Sequence, residues 1–209
     1  MPFSHYMSLG INCEAAFQFR RVLGRDYASF FNWNVTPIET LVRLLEADFE
    51  DICLFENLVF EGNGTLVRDK AYDYHFHWVG ANIDCLDGGG LIDHKNRERL
   101  LYLAEKFRRT TASGRSIAFF VTFNGQQNLA LLNTVAHLLR TKFQCGDFKI
   151  IALTDKSGDL VFLSTDDSIA VRSLTRFAPW HDATDGHVSS WDQVFAEFPP
   201  EIQLRLSGY

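Results

Sequence analysis

The first apolar run of the chain predicts a strand that leads directly into a helix. Residues 4–9 form a short, mostly apolar stretch that is typical of a buried strand. Gly10 opens a turn, and from residue 13 to residue 23 apolar positions recur at helical spacing. Asn12 is a suitable N-cap and Gly24 a suitable stop. We therefore expect a strand, a short turn and a helix within the first 24 residues.

The next stretch predicts a second helix and then β structure. Thr36-Pro37 favours a helix that runs to about Asp48, with Thr36 as its cap and Pro37 at its first helical position. Between residues 52 and 79 the pattern changes to β-like. The strand candidates there are residues 58–60 and 71–79, with Gly62-Asn63-Gly64 as a turn between them.

The second half of the chain alternates between helical and strand-like patterns. After a loop over residues 84–93, the expected elements are a helix over 94–111, a strand over 116–123, a helix over 126–143, strands over 148–154 and 160–164, and a last helix that starts near Trp191 with Ser189 or Ser190 as its cap. This rhythm is typical of parallel βαβ units. We expect the α/β fold class: a single domain over residues 1–209, with a mixed, mostly parallel sheet flanked by helices.

Composition and charge narrow the class of protein. Apolar residues make up 46% of the chain, and 19 of its residues are Phe, which is enough to fill a core. A net charge of −6 argues against nucleic acid as a partner, because phosphate binding needs a basic surface. No apolar run approaches the ~18 residues of a membrane span, and no secretory signal opens the chain. We expect a cytoplasmic protein with free thiols rather than disulfides.

Cys13 is the first candidate for chemistry. A thiolate at the start of a helix is stabilised by free backbone N–H groups and by the helix dipole. The strand, the Gly-containing turn and the residue at the helix start together resemble a nucleophile elbow, and the N–H of Cys13 or Glu14 could stabilise an oxyanion. The adjacent Glu14 carboxylate opposes a thiolate. In the alternative interpretation, Cys13 is only a small buried apolar residue.

A cysteine nucleophile needs a base, and two histidines are candidates for it. His75 and His77 lie two residues apart on a predicted strand, so they share a face, while Phe76 points to the other. Asp69 or Asp73 could orient one of them. Equally, both could be half-exposed histidines of an edge strand.

Metal binding is a further alternative. His75 and His77 could bind a metal together with Asp84, Cys85, Asp93 or His94, and a second group is formed by His181, Asp182, Asp185 and His187. Neither group has a recognised metal-site spacing, so we expect no cofactor.

Two segments of the chain resemble a known family. Residues 8–13, followed by Ala16 and Arg20-Arg21, and the segment Ser29-Phe30-Phe31-Asn32-Trp33, are similar to the opening motifs of a bacterial family of uncharacterised proteins classed as papain-like cysteine peptidases. The resemblance covers roughly residues 4–125. It implies a papain-like or related thiol-hydrolase topology, with Cys13 as nucleophile and His77, or second His75, as base.

Two positions depart from the family's pattern. Asn32 stands where the family has Asp, and the family's His-Asp-Phe is here His77-Trp78-Val79 or His75-Phe76-His77. Asn32 could supply an orienting amide, as Asn does in papain-like triads, or it could be a turn residue.

Two classes of function follow from these features. The first is a cysteine-dependent hydrolase or acyltransferase that uses a Cys–His pair on the amide or ester bond of a peptide or small molecule. The alternative is a non-catalytic binding or accessory module, in which Phe30, Phe31 and Trp33 hold their loop against the core and Cys13 only packs. A metal-dependent hydrolase using His75 and His77 is a third possibility.

Overall fold

A computed structural model describes residues 2–25, 27–61, 66–77, 91–123, 128, 130–155, 166–179 and 181–201. In chain order its elements are β1 (His5–Ser8), α1 (Glu14–Leu23), β2 (Asn34–Val35), α2 (Ile38–Glu46), a 3₁₀ turn (Phe55–Asn57), β3 (Leu58–Glu61), β4 (Leu66–Asp69), β5 (Tyr74–His77), α3 (Leu91–Thr111), β6 (Ile117–Phe123), α4 (Leu131–Thr141), β7 (Phe148–Asp155), β8 (Ile169–Leu174) and α5 (Val188–Glu197). None of the described helices is both long and apolar enough to cross a membrane.

The centre of the fold is a four-stranded parallel sheet in the order β1-β6-β7-β8. Every residue of β6 is buried, as expected for a strand covered on both faces. Helices α1 and α5 cover one face, where Phe19 and Phe195 pack against Tyr6 and Phe120. Helices α2, α3 and α4 contribute to the core on the other face. The predicted α/β class, with a parallel sheet flanked by helices, is confirmed.

A second sheet holds the antiparallel strands, in the order β2-β5-β4-β3. The sequence predicted one mixed sheet and missed β4, because two of its four residues, Arg68 and Asp69, are charged. Strand β4 ends at Asp69, a buried carboxylate that accepts hydrogen bonds from the backbone N–H of Cys53 (2.7 Å) and Ala71 (2.9 Å). The predicted strand over 71–79 is confirmed from Tyr74 to His77, whereas residues 71–73 form a turn. Residues 78–79 of that prediction and the expected turn at 62–64 lie outside the described residues.

Other predicted boundaries shift where local capping differs from the expectation. The residue that caps α2 is Pro37 rather than Thr36, and His187, whose ring accepts from the Ser190 N–H, caps α5 in place of Ser189 or Ser190. Residues 91–93 are helical rather than part of a loop, and α4 begins at Leu131.

Strand β8 was not predicted, because residues 169–174 combine apolar and charged positions without strict alternation. The strand predicted at 160–164 lies outside the described residues.

Candidate functional site

The connection between β1 and α1 is a tight turn that only particular residues fit. The backbone N–H of Ser8 donates to Asn32 Oδ1 (3.0 Å), and the N–H of Leu9 donates to the carbonyl of Phe120 (2.8 Å). Gly10 has φ +114°, and a Cβ added there would lie 2.6 Å from Thr36 Cβ. A side chain is therefore excluded at Gly10, and the turn is pressed against the end of β2.

The next residue, Ile11, has φ +78°, a strained conformation for a β-branched side chain. Strain of this kind is maintained only where the surrounding structure enforces it, and it occurs preferentially at functional sites. Asn12 Oδ1 then accepts from the Glu14 N–H (3.0 Å), which fixes the start of α1.

Cys13 is itself the N-cap residue of α1, one position later than the cap predicted at Asn12. Its φ of −83° and ψ of −2° lie in the bridge region, where many active-site residues are found. The side chain is partly exposed. Burial raises the pKa of the thiol above its usual value, which favours the protonated form. Within the described part of the chain, no hydrogen bond or ion pair joins Cys13 to a histidine.

One side of α1 begins at Cys13 and carries accessible residues. Cys13, Phe17 and Arg20 follow helical spacing and are not buried. The Trp33 ring lies edge-on to Phe17, with 5.1 Å between ring centroids, and the Arg20 guanidinium lies 4.9 Å from the Trp33 ring centroid. We call Cys13, Phe17 and Arg20 the open face of α1; Trp33 borders it.

The adjacent side of α1, which we call the locked face, consists of Glu14, Gln18 and Arg21. Glu14 is completely buried, and its carboxylate accepts from Trp191 Nε1 (2.8 Å) and from the backbone N–H of Ala178 (2.9 Å). Burial raises the pKa of this carboxyl, an effect that the two hydrogen bonds oppose. The locked face thus attaches α1 to α5 and to the loop before it.

The locked face also leaves no space at Gly186. A Cβ added there would lie 2.6 Å from Glu14 Oε1 and 2.9 Å from Gln18 Nε2. Arg21 completes this face through an ion pair with Asp192 (2.6 Å). Backbone of the last loop therefore packs directly against the buried carboxylate.

Both candidate histidines lie on β5 of the second sheet. His75 pairs with Val35 of β2, and Phe76 pairs with Asn34, the residue after Trp33. Alternate residues of a strand share a face, so His75 and His77 project on the same side of β5. The His77 side chain is exposed, whereas the side chain of His75 is only 19% exposed.

Comparison with known proteins fixes the family. Residues 4–158 match the family described as "Putative papain-like cysteine peptidase (DUF1796)". The chain belongs to this family. No curated protein matches the chain, and no solved structure matches it. The match covers Cys13, Asn32, His75 and His77, and it ends before β8, so α5 and the locked-face partners of Glu14 lie beyond the family's segment.

Glu61 is a neighbour of His75 that the sequence did not indicate. Its Oε2 lies 3.4 Å from His75 Nε2, and its Oε1 lies 3.0 Å from Arg68 Nε. The two predicted orienting residues have other partners: Asp69 holds backbone N–H groups, and Asp73 lies 3.4 Å from Arg68. Glu61 lies on β3 and His75 on β5, and β4 pairs with both strands. Because the sequence analysis missed β4, it did not indicate this contact.

Asn32 has both ends of its amide engaged. Oδ1 accepts from the Ser8 N–H (3.0 Å), and Nδ2 donates to the carbonyl of Tyr27 (2.5 Å). In this family member the residue therefore fixes the segment after β1, which favours the interpretation as a turn residue. The neighbouring Phe30 and Phe31 are fully buried, so this loop is anchored in the core.

The metal alternatives lack a set of ligands in the described residues. No group of three or more His, Cys, Asp or Glu side chains there could hold a metal ion. Asp84 and Cys85 lie outside the described residues. In the second group His187 Nδ1 lies 2.7 Å from Ser190 Oγ, Asp182 bonds Thr184, and Asp185 pairs with Arg176. These residues make capping and turn contacts.

Proposed function

We propose that this protein is a cysteine-dependent hydrolase or acyltransferase in which Cys13 attacks the carbonyl of an amide or ester. The observation that carries the proposal is the placement of Cys13: it begins α1 at the carboxyl end of β1, follows the strained Ile11, and is accessible from the open face. In open α/β sheets, ligands bind beyond the carboxyl ends of the strands. Membership in a papain-like cysteine peptidase family supports the same chemistry.

The first step is an acyl transfer to sulfur. The Sγ–H proton passes to an imidazole, Sγ adds to the carbonyl carbon, and the carbonyl oxygen becomes an oxyanion. The Glu14 N–H is already bonded to Asn12, so the Cys13 N–H is the oxyanion donor that we propose. Collapse breaks the bond to the amine or alcohol, which leaves with the imidazolium proton. Water or another acceptor then releases the acyl group from Cys13.

His77 is the base that we propose, with His75 as the second choice. His77 is exposed, and its strand pairs with β2, which directly follows Trp33 at the border of the open face. His75 has the advantage of an adjacent carboxylate, Glu61, which could orient its ring. Catalytic hydrogen bonds are often long before substrate binds, so proton transfer requires the substrate to draw imidazole and thiol together.

One observation favours the second candidate function, a binding or accessory module without chemistry. Burial raises the pKa of Cys13, and in the described residues the thiol has no hydrogen-bonded base. A thiol in this environment is unreactive unless a base approaches it. The two candidates therefore differ in whether a histidine changes the ionisation of Cys13.

The test is the pH dependence of Cys13 alkylation, read by mass spectrometry in the parent protein and in His77→Ala and His75→Ala. We expect one variant to slow alkylation near neutral pH and to move the titration of Cys13 upward, which would name the base. Cys53 and Cys145, both buried, serve as internal controls that stay unmodified while the protein is folded. Identical titration curves in all three proteins would reject the Cys–His pair.

A second measurement addresses acyl transfer directly. An activated aryl ester should leave an acyl group on Cys13 with stoichiometric release of the phenol, and the Cys13→Ala variant should release none above background. If Cys13 of the parent protein stays unmodified, acyl transfer is rejected and the non-catalytic binding module becomes the better assignment.

A further inference from the structure

The turn that leads to Cys13 holds one residue in a strained conformation. Ile11 has φ +78°, which a β-branched residue rarely adopts, and its side chain is buried, so packing maintains the strain. Gly10, directly before it, has φ +114°. Because glycine tolerates backbone angles that other residues do not, the peptide between Gly10 and Ile11 can rotate without strain at Gly10.

Two threonine hydroxyls approach this peptide. Thr122 lies on β6, the neighbour of β1 in the parallel sheet, and its hydroxyl donates to the Gly10 carbonyl over a long 3.5 Å. Thr36 follows β2 of the second sheet, and its Oγ1 lies 3.2 Å from the position that a Cβ on Gly10 would take. Both hydroxyls therefore lie close to the backbone of Gly10, but only that of Thr122 bonds to it.

The Thr36 hydroxyl lies on the side of β1 that faces away from β6. The Leu9 N–H donates to a carbonyl of β6, whereas the Ser8 N–H points to the other edge of β1 and donates to Asn32. Asn32 precedes β2, and Thr36 follows β2, so the second sheet adjoins this other edge. The Gly10 carbonyl thus faces β6, and the Thr36 hydroxyl lies on the opposite side of the turn.

Thr36 is buried, with 1% of its surface exposed, and its Oγ1 has no hydrogen-bond partner among the described residues. Buried hydroxyls are nearly always bonded, because an unpaired one loses its hydration without compensation. A half-turn of the Gly10–Ile11 peptide directs the Gly10 carbonyl away from β6 and toward the side of Thr36. The same rotation takes φ of Ile11 from +78° to about −100°, an ordinary value for this residue type. One rotation thus removes the strain and supplies the missing acceptor.

We propose that this turn is a two-state element, which exchanges between the described conformation and a second one in which Thr36 Oγ1 donates to the Gly10 carbonyl. The hydrogen bond from Thr122 favours the first conformation, and the relief of strain at Ile11 favours the second. The rotation exchanges a carbonyl for an N–H on each side of the peptide, so a molecule bound at Cys13 that contacts the turn shifts the two populations. The exchange occurs without a substrate and is independent of the acyl transfer proposed for Cys13.

The test is NMR relaxation dispersion of the backbone amide nitrogens in the protein without a ligand, which detects minor conformations that exchange in microseconds to milliseconds. We expect dispersion at Ile11 and Asn12 in the parent protein. Thr36→Val keeps the shape of the side chain but removes the donor, so the population of the second conformation should fall about tenfold, the effect of one lost hydrogen bond. Thr36→Ser keeps the hydroxyl and should keep the dispersion.

Two further variants separate this exchange from a general loosening of the turn. Thr122→Val removes the donor on the other side, so the population of the second conformation should rise about twofold, the effect of one weak hydrogen bond. Ser29→Ala is the matched control, because Ser29 Oγ is also buried without a partner in the described part of the chain, but it is not among the atoms nearest to Gly10. This variant should leave the dispersion unchanged.

Three results would overturn the two-state turn. The first is a parent protein without dispersion at Ile11 and Asn12, which needs no variant to be observed. The second is dispersion that persists unchanged in Thr36→Val, because the motion would then not use the Thr36 hydroxyl. The third is a loss of dispersion in Ser29→Ala as large as in Thr36→Val, which would show a general effect of removing a buried hydroxyl.

Discussion

The two faces of α1 differ in burial and in the kind of contact that each makes. On the locked face, Glu14 and Gln18 are buried against the last loop and α5. On the open face, Cys13 and Phe17 are partly accessible and Arg20 is exposed. The comparison teaches how a helix can present a reactive group without losing its position: contacts on one side hold it, so the other can remain accessible.

The locked face is held by buried polar contacts, which stabilise the protein only while every buried donor and acceptor has a partner. A buried carboxylate loses its hydration, and hydrogen bonds from Trp191 and Ala178 replace part of it. Removing any partner leaves an unsatisfied buried group. The open face depends on aromatic contacts at the surface, which tolerate change. The four predictions below test this difference, from the largest expected effect to the smallest.

Replacing Glu14 should have the largest effect on stability. Glu14→Ala leaves the Trp191 Nε1–H and the Ala178 N–H buried without acceptors and opens a cavity, so the free energy of unfolding should fall by about 3–5 kcal/mol. Urea unfolding measures this. The control is Glu39→Ala, an exposed glutamate in the first turn of α2, which should change stability by less than about 1 kcal/mol. Equal losses in the two variants would contradict the locked face.

A methyl group at Gly186 should have the next largest effect. Gly186→Ala places a Cβ 2.6 Å from Glu14 Oε1, so we expect a loss of about 1–3 kcal/mol as the carboxylate is displaced. Gly146→Ala is a matched control, since a Cβ there meets no atom within 4 Å. Thermal unfolding compares the two variants. Equal stability of Gly186→Ala and Gly146→Ala would show that the loop at Gly186 does not pack against Glu14.

The pH dependence of stability should report the ionisation of Glu14. Its pKa is raised in the folded protein, so the folded state binds the proton more tightly than the unfolded state does. The resulting stabilisation is fully present below the usual glutamate pKa and is lost as pH rises through the raised value. Relative to Glu14→Gln, the parent should therefore lose stability with rising pH across that window. A constant difference between the two proteins in urea titrations would show that the folded pKa of Glu14 is not raised.

Changes on the open face should affect reactivity more than stability. Phe17→Leu should lower the free energy of unfolding by less than about 1.5 kcal/mol, because Phe17 is only half-buried. If substrates approach Cys13 along Phe17 and Trp33, an aromatic haloacetamide should alkylate Cys13 faster than iodoacetamide does. In the Phe17→Leu variant the ratio of these two alkylation rates should fall about two- to tenfold. Phe55→Leu, at a half-exposed Phe away from α1, controls for a general effect. The same rate ratio in Phe17→Leu and in the parent would exclude this approach.

Local patterns were sufficient to predict the elements that position Cys13. Periodicity and the Gly24 stop predicted α1 to within one residue of its ends, and β6 and β7 were predicted because continuous apolar strands of parallel sheets stand out. Strand β4 could not be recognised, because two of its four residues are charged and leave only two apolar residues as a pattern. Its absence from the prediction also concealed the approach of Glu61 to His75.

The role of Glu14 could not be predicted, for a different reason. In the sequence its charge stands beside Cys13 and argues against a thiolate. In the structure its carboxylate points to Ala178 and Trp191, which are 164 and 177 residues away. Nothing local to residue 14 indicates partners at that distance. The family resemblance predicted Cys13 and the two histidines as candidates, but among the described residues no hydrogen bond or ion pair joins Cys13 to either histidine, and no local pattern indicates which of them a substrate would bring to the thiol.

The long separation between Glu14 and Trp191 also orders the events of biosynthesis. Helix α1 leaves the ribosome well before α5, because Trp191, which donates to Glu14, is made 177 residues later, and at about 5–20 residues per second this takes roughly 10–35 seconds. Strand β1 likewise waits for β6, more than a hundred residues on, before it has a partner. During this interval the segment that carries Cys13 is neither paired nor fixed on its locked face. The thiol can take up its final environment only after the ribosome has added α5, so the site is assembled after α5 is made rather than as α1 emerges.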